Sequence, residues 1–533
     1  MSNLKNIMNR NLILILFGIS GMTALIYEII WIRPLSLVFG STIYAVSTIV
    51  ASFILGLAIG SWLAGIYADR LKNPLQYFAF AQIGVGFYGI LLLPIFGALP
   101  SIYLGLYQAT YPNQTIFILA QILMAMAMIT IPATLMGTTL PFMMKTYSKE
   151  SSSIGKDVGR LDASNSLGAF FGTLAAGFLF IPILGIHQSI LVTATINIGL
   201  GTIILATKKY TNIKYLGLII VFLVPLLFLY PSYDVELLAG NLFVDVSPDY
   251  TMDEYENKLE KQDVLFYKES LYQNVMVTSF ESGDRLRLNG KVQCSTSEHT
   301  VSGLIRMGFY PFDLFEYNYG TPKNALNIGL GCGITSKSLS EHIKTTTIEI
   351  DPVVVEANKF FYDTIDHELI IDDARNWLLR NEKKFDLIVT EPSEPWHGNG
   401  MLYTKEFFEL MADNVSENGL VSQWIPAWEL VDEDMMIIYN TFHSVFPYVY
   451  VYAMESNSFA QLIFIGSQNE LNMPEHELYL FDQDDINDVK TELNTDDKPV
   501  IEFSTAYNLY SPPSDTTIYF PFKDEFLINK FNQ

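Results

Sequence analysis

Apolar residues fill the first 231 positions in long runs, at about 12–32, 43–68, 75–99, 115–144, 161–183, 187–207 and 214–231. Most of these reach the roughly 20 residues a helix needs to cross a hydrocarbon core. They predict an N-terminal multi-span α-helical membrane domain over residues 1–231, with about seven apolar segments. Stretches such as "GAFFGTLAAGF" (168–178) are rich in Gly and Ala at helical spacing, which predicts helices in close backbone contact rather than helices facing lipid alone. No small-residue cleavage site ends the first run and further runs follow it, so it reads as a span.

Past Pro231 the pattern changes. Residues 232–262 are acidic and irregular and read as a connector. Residues 263–310 alternate apolar and polar positions ("VLFYKES", "YQNVMVTSF", "RLRLNGKVQ") around the turn "ESGD", predicting a small antiparallel β-hairpin domain. From 311 to 470, short apolar runs alternate with helical segments: "NALNIGLGCG", "TTTIEID", "PVVVEANKFFYD", "ELIIDDARNWLLRN", "FDLIVTEPSEP" and "TKEFFELMADNVSENGLVSQWI". That alternation predicts a C-terminal α/β Rossmann-like domain with a doubly wound, largely parallel sheet. Residues 471–533 form an acidic C-terminal extension whose first part reads as one or two helices.

Charge separates the same two halves. Up to Pro231 there are 12 Lys and Arg against 5 Asp and Glu, a net of +7; the remainder holds 20 against 51, a net of −31. An acidic domain favours cationic partners, and no basic, aromatic-interleaved stretch suggests nucleic acid. Lys and Arg cluster before the first run and after the second, fourth and sixth, which predicts a cytoplasmic N-terminus in a multi-pass cell-membrane protein. Seven full crossings would then put the acidic domain outside the cytosol. The site chemistry below calls for a cytosolic nucleoside, so the side of the soluble domain stays open at this point. Cys294 and Cys332 are the two cysteines; they imply no disulfide framework and leave the redox compartment undetermined. No ligand spacing supports a metal site.

The candidate chemistry lies at predicted strand ends. Gly329, Gly331, Cys332 and Gly333 form a glycine loop between a strand and a helix, where backbone can approach a ligand. Such a loop alone also fits a tight structural turn. Glu349 closes the next strand 16 residues after Gly333, with Asp351 beside it, where a carboxylate can take both ribose hydroxyls. Asp372 and Asp373 end the third strand, and Glu391 and Glu394 follow the fourth in "TEPSEP". Two carboxylates suit a cationic amine, one accepting its proton while the other holds its charge.

Residues 264–465 resemble the spermidine synthase (polyamine aminopropyltransferase) family: "ESLYQNVMV" with "LRLNGKVQC", then "LNIGLGCG", "IEIDPVVVEANKFF", "DDARNWL" and "FDLIVTEPSEP…LYTKEFFELM" follow its hairpin and Rossmann-like core in order. "SGMTALIYEIIWIRPLSLVFGS" and "FILGLAIGSWLAGIYADR" resemble its membrane-fused branch. The resemblance implies that Gln273 meets the aminopropyl end of the nucleoside, Glu349 the ribose and Asp373 the adenine, with Glu391 as general base. Gln293, Glu298, His299 and Trp396 are expected on the amine side. The implied co-substrate is decarboxylated AdoMet, or AdoMet, with no tightly bound cofactor. The implied partners are a small cationic amine such as putrescine or a polyamine, the lipid bilayer, and a second copy of the chain in a homodimer.

Departures from the family pattern are visible. Its Asp-[Ser/Thr]-[Ser/Thr]-Asp-Pro reads Glu391-Pro392-Ser393-Glu394-Pro395 here, and the Asp of Gly-Gly-Gly-Asp-Gly-Gly reads Cys332. Of its Asp-Glu-x-x-Tyr-His-Glu segment, only Glu298 and His299 match. Nucleoside binding is therefore the firmer expectation. The alternatives are an AdoMet-dependent methyltransferase and a transporter or sensor with a degenerate nucleoside-binding domain. Cys332 is expected to lie against the ligand as a free thiol.

Overall fold

The computed structural model describes residues 10–39, 43–148, 153–207, 249–259, 261–393, 395, 399–427, 430–455, 458–473, 480–482 and 492–508. They form two compact units, one built by the chain up to Leu259 and one by the chain beyond it. The apolar segment 214–231, Glu394, Trp396 and the side chain of His299 lie outside the described residues.

The first unit is helical: α1 (Arg10–Phe39), α2 (Ile43–Ala68), α3 (Pro74–Thr110), α4 (Gln114–Gly137), α5 (Thr139–Tyr147), α6 (Ile154–Ala175) and α7 (Ile181–Thr207). Among the described residues, five stretches are long and apolar enough to cross a membrane. The longest, Ile154–Ala206, passes from α6 to α7 through a π-helical turn at Ala176–Phe180. It leaves helical geometry at Gly185, with φ 72° and ψ 174°. The expected runs at 161–183 and 187–207 are thus divided by a backbone break, without a polar loop.

Close approach between α1 and α6 follows from glycine. A Cβ on Gly168 would stand 1.8 Å from the Gly18 carbonyl oxygen, and one on Gly172 would stand 2.2 Å from that of Met22. Only a hydrogen fits there, so the small-residue spacing read from the sequence is what lets these backbones meet. An Arg10–Asp157 ion pair joins the same two helices, and the Arg10 guanidinium lies 4.3 Å from the Tyr147 ring centroid.

At the end of the first unit, the stretch expected to be irregular contains α8 (Met252–Leu259). A reciprocal cap explains it: the Thr251 N–H donates to Glu254 Oε2 at 2.8 Å, and the Glu254 N–H donates to Thr251 Oγ1 at 3.2 Å. Tyr255 and Leu259 are buried on one side of this turn.

The second unit opens with an antiparallel meander, β1 (Asp263–Glu269), β2 (Asn274–Phe280), β3 (Gly283–Leu288) and β4 (Lys291–Ser295). Helix α9 (Glu298–Tyr319) leads from it into an eight-stranded sheet. In chain order its strands are β5 (Asn324–Ile328), β6 (Lys344–Glu349), β7 (Glu368–Ile371), β8 (Phe385–Thr390), β9 (Val415–Ile425), β10 (Tyr448–Glu455), β11 (Ser458–Ser467) and β12 (Leu480–Asp482). In space the order is β12-β10-β11-β9-β8-β5-β6-β7. The β9-β8-β5-β6-β7 block is parallel and the other three strands pair antiparallel.

Strands β5 and β8 bury both faces, as a sheet covered by helices requires. Leu326, Ile328 and Ile388 pack into one core, while Ala325, Leu387 and Val389 pack into the other. Strand order reverses between β5 and β8, and crevices at such switch points are where open α/β sheets bind ligands.

Candidate active site

The glycine loop leaves β5 with three left-handed residues, Gly329, Gly331 and Gly333, at φ 93°, 50° and 78°, and runs into α10 (Ile334–Ser340). Side chains at these angles would strain the backbone, which explains the glycines without reference to a ligand. Glu349, at the end of β6, holds the loop: its Oε2 accepts from the Leu330 N–H and its Oε1 from the Asp351 N–H, both at 2.9 Å. A carboxylate has about four lone-pair positions, so two remain for ribose hydroxyls. Burial raises the Glu349 pKa, and the backbone N–H groups of Asp351, Leu330 and Ile350 oppose that rise.

Asp351 is turned inward. It accepts from the Ser270 hydroxyl at 2.7 Å and caps α11 (Pro352–Ala357) by accepting from the Val353 N–H at 2.9 Å. The Ser270 bond places the turn that carries Gln273 beside the end of β6. At the end of β7, Asp373 caps α12 (Ala374–Arg380) by accepting from the Asn376 N–H at 2.8 Å. Asp372 pairs with Arg380. Glu298 is exposed in the first turn of α9.

One expectation is overturned. Cys294 and Cys332 form a disulfide, with Cα atoms 6.1 Å apart. Cys294 ends the meander and Cys332 sits in the glycine loop, and both are buried among Val275, Val277, Leu286, Ile334 and Val354. The chain between them, including α9, brings β4 back onto the loop across a sequence separation of 38, a return that two isolated cysteines do not advertise. Cys332 is therefore not a free thiol, and the loop offers a neutral bridge where the family pattern has a carboxylate.

Glu391 follows β8, across the switch point from the loop. Its N–H donates to the Ile328 carbonyl at 3.3 Å, and a Cβ on Gly329 would stand 3.5 Å from its carbonyl oxygen. Its Oε1 is buried without a hydrogen-bond partner among the described residues. Burial pushes its carboxyl pKa up to about 7, opposed by the hydroxyl of Thr335. Two residues on, the Ser393 hydroxyl donates to Gln293 Oε1 at 2.8 Å, bringing the meander to this loop.

Three groups that the sequence reading passed over complete the surroundings. Arg375, in the first turn of α12, donates to the Met401 carbonyl at 2.6 Å and pairs with Asp496. Asp496 Oδ1 also accepts from the Thr404 hydroxyl at 2.7 Å. Tyr403 donates to the Ser393 carbonyl at 3.3 Å. The arginine of "DDAR" and the acid pair of "NTDD" were the available signals, but 121 residues separate Arg375 from Asp496.

Strand-end carboxylates around a glycine loop at a switch point are the layout of an AdoMet-type Rossmann fold. Residues 313–473 match the spermine/spermidine synthase domain. The chain is 23% identical over 420 residues to a polyamine aminopropyltransferase of Oceanobacillus iheyensis, covering 75% of each. It is 26% identical over 432 residues to one of Corynebacterium efficiens, covering 77% of this chain and 76% of that one. A solved spermidine synthase in complex with the transition-state analogue AdoDATO aligns over 39% of this chain and 74% of its own, at 21% identity and a TM-score of 0.34. The chain is thus similar to the spermine/spermidine synthase domain over residues 313–473 and to polyamine aminopropyltransferases over about three quarters of its length. The aligned 75% of the chain is longer than the 302 residues that follow Pro231, so the similarity reaches into the helical half.

Proposed function

We propose that the protein is a membrane-anchored aminopropyltransferase that moves an aminopropyl group from decarboxylated AdoMet to a small amine or polyamine. The observation that carries this reading is Glu391, an enclosed carboxyl with a pKa near 7 at the switch point beside the glycine loop. An amine is a nucleophile only after losing its proton, and a base poised near neutrality suits that transfer. In the proposed step the amine nitrogen bonds to the carbon next to the sulfonium. The carbon–sulfur bond breaks, its electron pair neutralises the sulfur, and methylthioadenosine leaves. The proton released by the nitrogen passes to Glu391.

The other residues take supporting roles in this proposal. Glu349 holds the loop and the ribose together, Asp373 meets the adenine amino group, and Gln273 reaches toward the transferred chain. Gln293 and Glu298 are assigned to the amine side, and His299, Glu394 and Trp396 are assigned there from the sequence alone. The five apolar stretches would anchor the enzyme in a bilayer.

One observation favours a second reading, methyl transfer from AdoMet. The neutral Cys294–Cys332 bridge supplies no counter-charge for the ammonium of an aminopropyl donor. The test is to incubate the full chain in nanodiscs with putrescine or spermidine and either decarboxylated AdoMet or AdoMet. Methylthioadenosine formed with the decarboxylated donor supports aminopropyl transfer. S-adenosylhomocysteine formed with AdoMet supports the second reading, and neither product overturns both.

A further inference from the structure

The loop that carries Glu391 is held at its far end by a segment outside the residues that match the synthase domain, which end at 473. Past Thr390 the chain returns through a 3-10 turn at Gly400–Tyr403 into α13 (Lys405–Asn414). Residues 492–508 close over this return from outside. The Asn494 side chain donates to the Tyr403 carbonyl at 2.9 Å, and the Lys405 N–H donates to the Asn494 carbonyl at 2.9 Å. Asp496 joins the same return at the Thr404 hydroxyl and receives Arg375. Arg375 in turn binds the Met401 carbonyl. Beyond α14 (Asp432–His443), in α15 (Val500–Asn508), Glu502 packs so tightly on the turn that a Cβ on Gly400 would stand 2.7 Å from the Glu502 Cβ.

Arg375 lies two residues past Asp373 on α12, and Tyr403 reaches back to the Ser393 carbonyl. The ion pair therefore joins the end of β7 to the loop that follows β8. We infer that Asp496 is a positioning residue: through Arg375 and Thr404 it fixes the Gly400–Thr404 turn, and with it the carboxylate loop that begins at Glu391. The inference rests on the proposed aminopropyl transfer. A carboxylate loop displaced by about an ångström would hold an amine poorly while leaving the glycine loop and Glu349 in place.

The test uses the full chain in nanodiscs, with decarboxylated AdoMet and spermidine as substrates and methylthioadenosine as the nucleoside probe. Asp496→Asn keeps the shape and removes the charge. It should raise the amine KM about tenfold or more while the nucleoside Kd stays within about twofold, and Asp496→Glu should recover part of the loss. Gly400→Ala, which pushes Glu502 away from the opposite side, should reproduce the same split. Amine KM and nucleoside Kd rising together would mean general loosening and overturn the inference, as would a KM within about twofold of the unaltered chain. Hydrogen exchange decides the matter separately from catalysis. If the unaltered chain transfers nothing, the proposed function falls. The clamp itself still requires faster exchange in 393–404 of Asp496→Asn, with 324–349 unchanged. Equal exchange throughout overturns it.

Discussion

The helical unit and the α/β unit answer the same question, what to do with polar backbone and apolar side chains, in opposite ways. In the helical unit large apolar groups face outward: Trp62, Leu123 and Ile183 are 67%, 65% and 71% exposed. Its interior close contacts come from glycine against carbonyl, as at Gly168 and Gly172. In the α/β unit the apolar residues of β5 and β8 point inward on both faces, and polar side chains gather at the strand ends. Apolar surface on one unit and a polar rim on the other would suit different solvents, as the proposed membrane anchoring requires. The proposed function uses the polar rim, where a carboxylate can be partly desolvated and still reachable. The predictions below test that division, beginning where the largest effect is expected.

Glu391→Gln should lower turnover by about 10²–10⁴, equivalent to roughly 2.7–5.5 kcal/mol of barrier. The nucleoside Kd should stay within about threefold, because Glu349 and the glycine loop are untouched. Turnover of the unaltered chain should rise with pH through about 7, as the carboxyl becomes a base. Stability should move the other way. The folded pKa lies above the unfolded value of 4.5, so the folded chain binds more protons between the two values. The contribution is fully present below about 4.5 and is lost as pH rises through 7. Denaturant midpoints across that range should show the slope in the unaltered chain and a reduced slope in Glu391→Gln. Full turnover in the variant would reduce the loop to a carboxylate-rich bend.

Cys294→Ser removes the bridge between the meander and the glycine loop. A disulfide spanning 38 positions restricts the unfolded chain by an amount worth about 2–4 kcal/mol. The oxidised chain should lose that stability on treatment with dithiothreitol and then match the variant. Identical denaturant midpoints in all three states would mean that the bridge contributes nothing.

In the helical unit, Gly168→Ala should destabilise by about 1–3 kcal/mol, because a methyl group there would overlap the Gly18 carbonyl and the backbones must part. Gly65→Ala is the control, since nothing lies within 4 Å of its added Cβ. Thermal unfolding of both variants in the same nanodiscs should separate them. Equal midpoints would break the claim that glycine contact, rather than apolar matching alone, holds α1 to α6.

What the sequence disclosed and what it hid divide along sequence distance. Periodicity exposed the long helices, the meander and the parallel strands, because a buried face repeats within a few residues. The glycine loop and the carboxylate of Glu349 were legible because each sits where a strand must end. The Cys294–Cys332 bridge was not, since nothing local marks two cysteines that meet only after α9 folds back. Nor was the pairing of Arg375 with Asp496, where each residue reads locally as a solvated charge. Likewise β10 to β12 continue the sheet antiparallel, and that reversal depends on packing against β9 rather than on any pattern within the strands.

The smallest expected effect distinguishes two neighbouring carboxylates at the end of β7. Asp372 is already paired with Arg380, whose side chain is 65% exposed, so the pair is screened by water and contributes at most about 1 kcal/mol. Arg380→Ala should therefore leave the denaturant midpoint and the nucleoside Kd nearly unchanged. Asp373→Asn preserves the cap on α12, since Asn caps about as well as Asp, but under the proposed function it removes the charge from the group that accepts from an adenine amino N–H. A charge-assisted bond reduced to a neutral one should weaken nucleoside binding by about tenfold or less. The two variants thus predict opposite rankings in stability and affinity, both small. A larger change in nucleoside Kd from Arg380→Ala than from Asp373→Asn would transfer the adenine contact to Asp372 and make the exposed ion pair part of the site rather than part of the helix end.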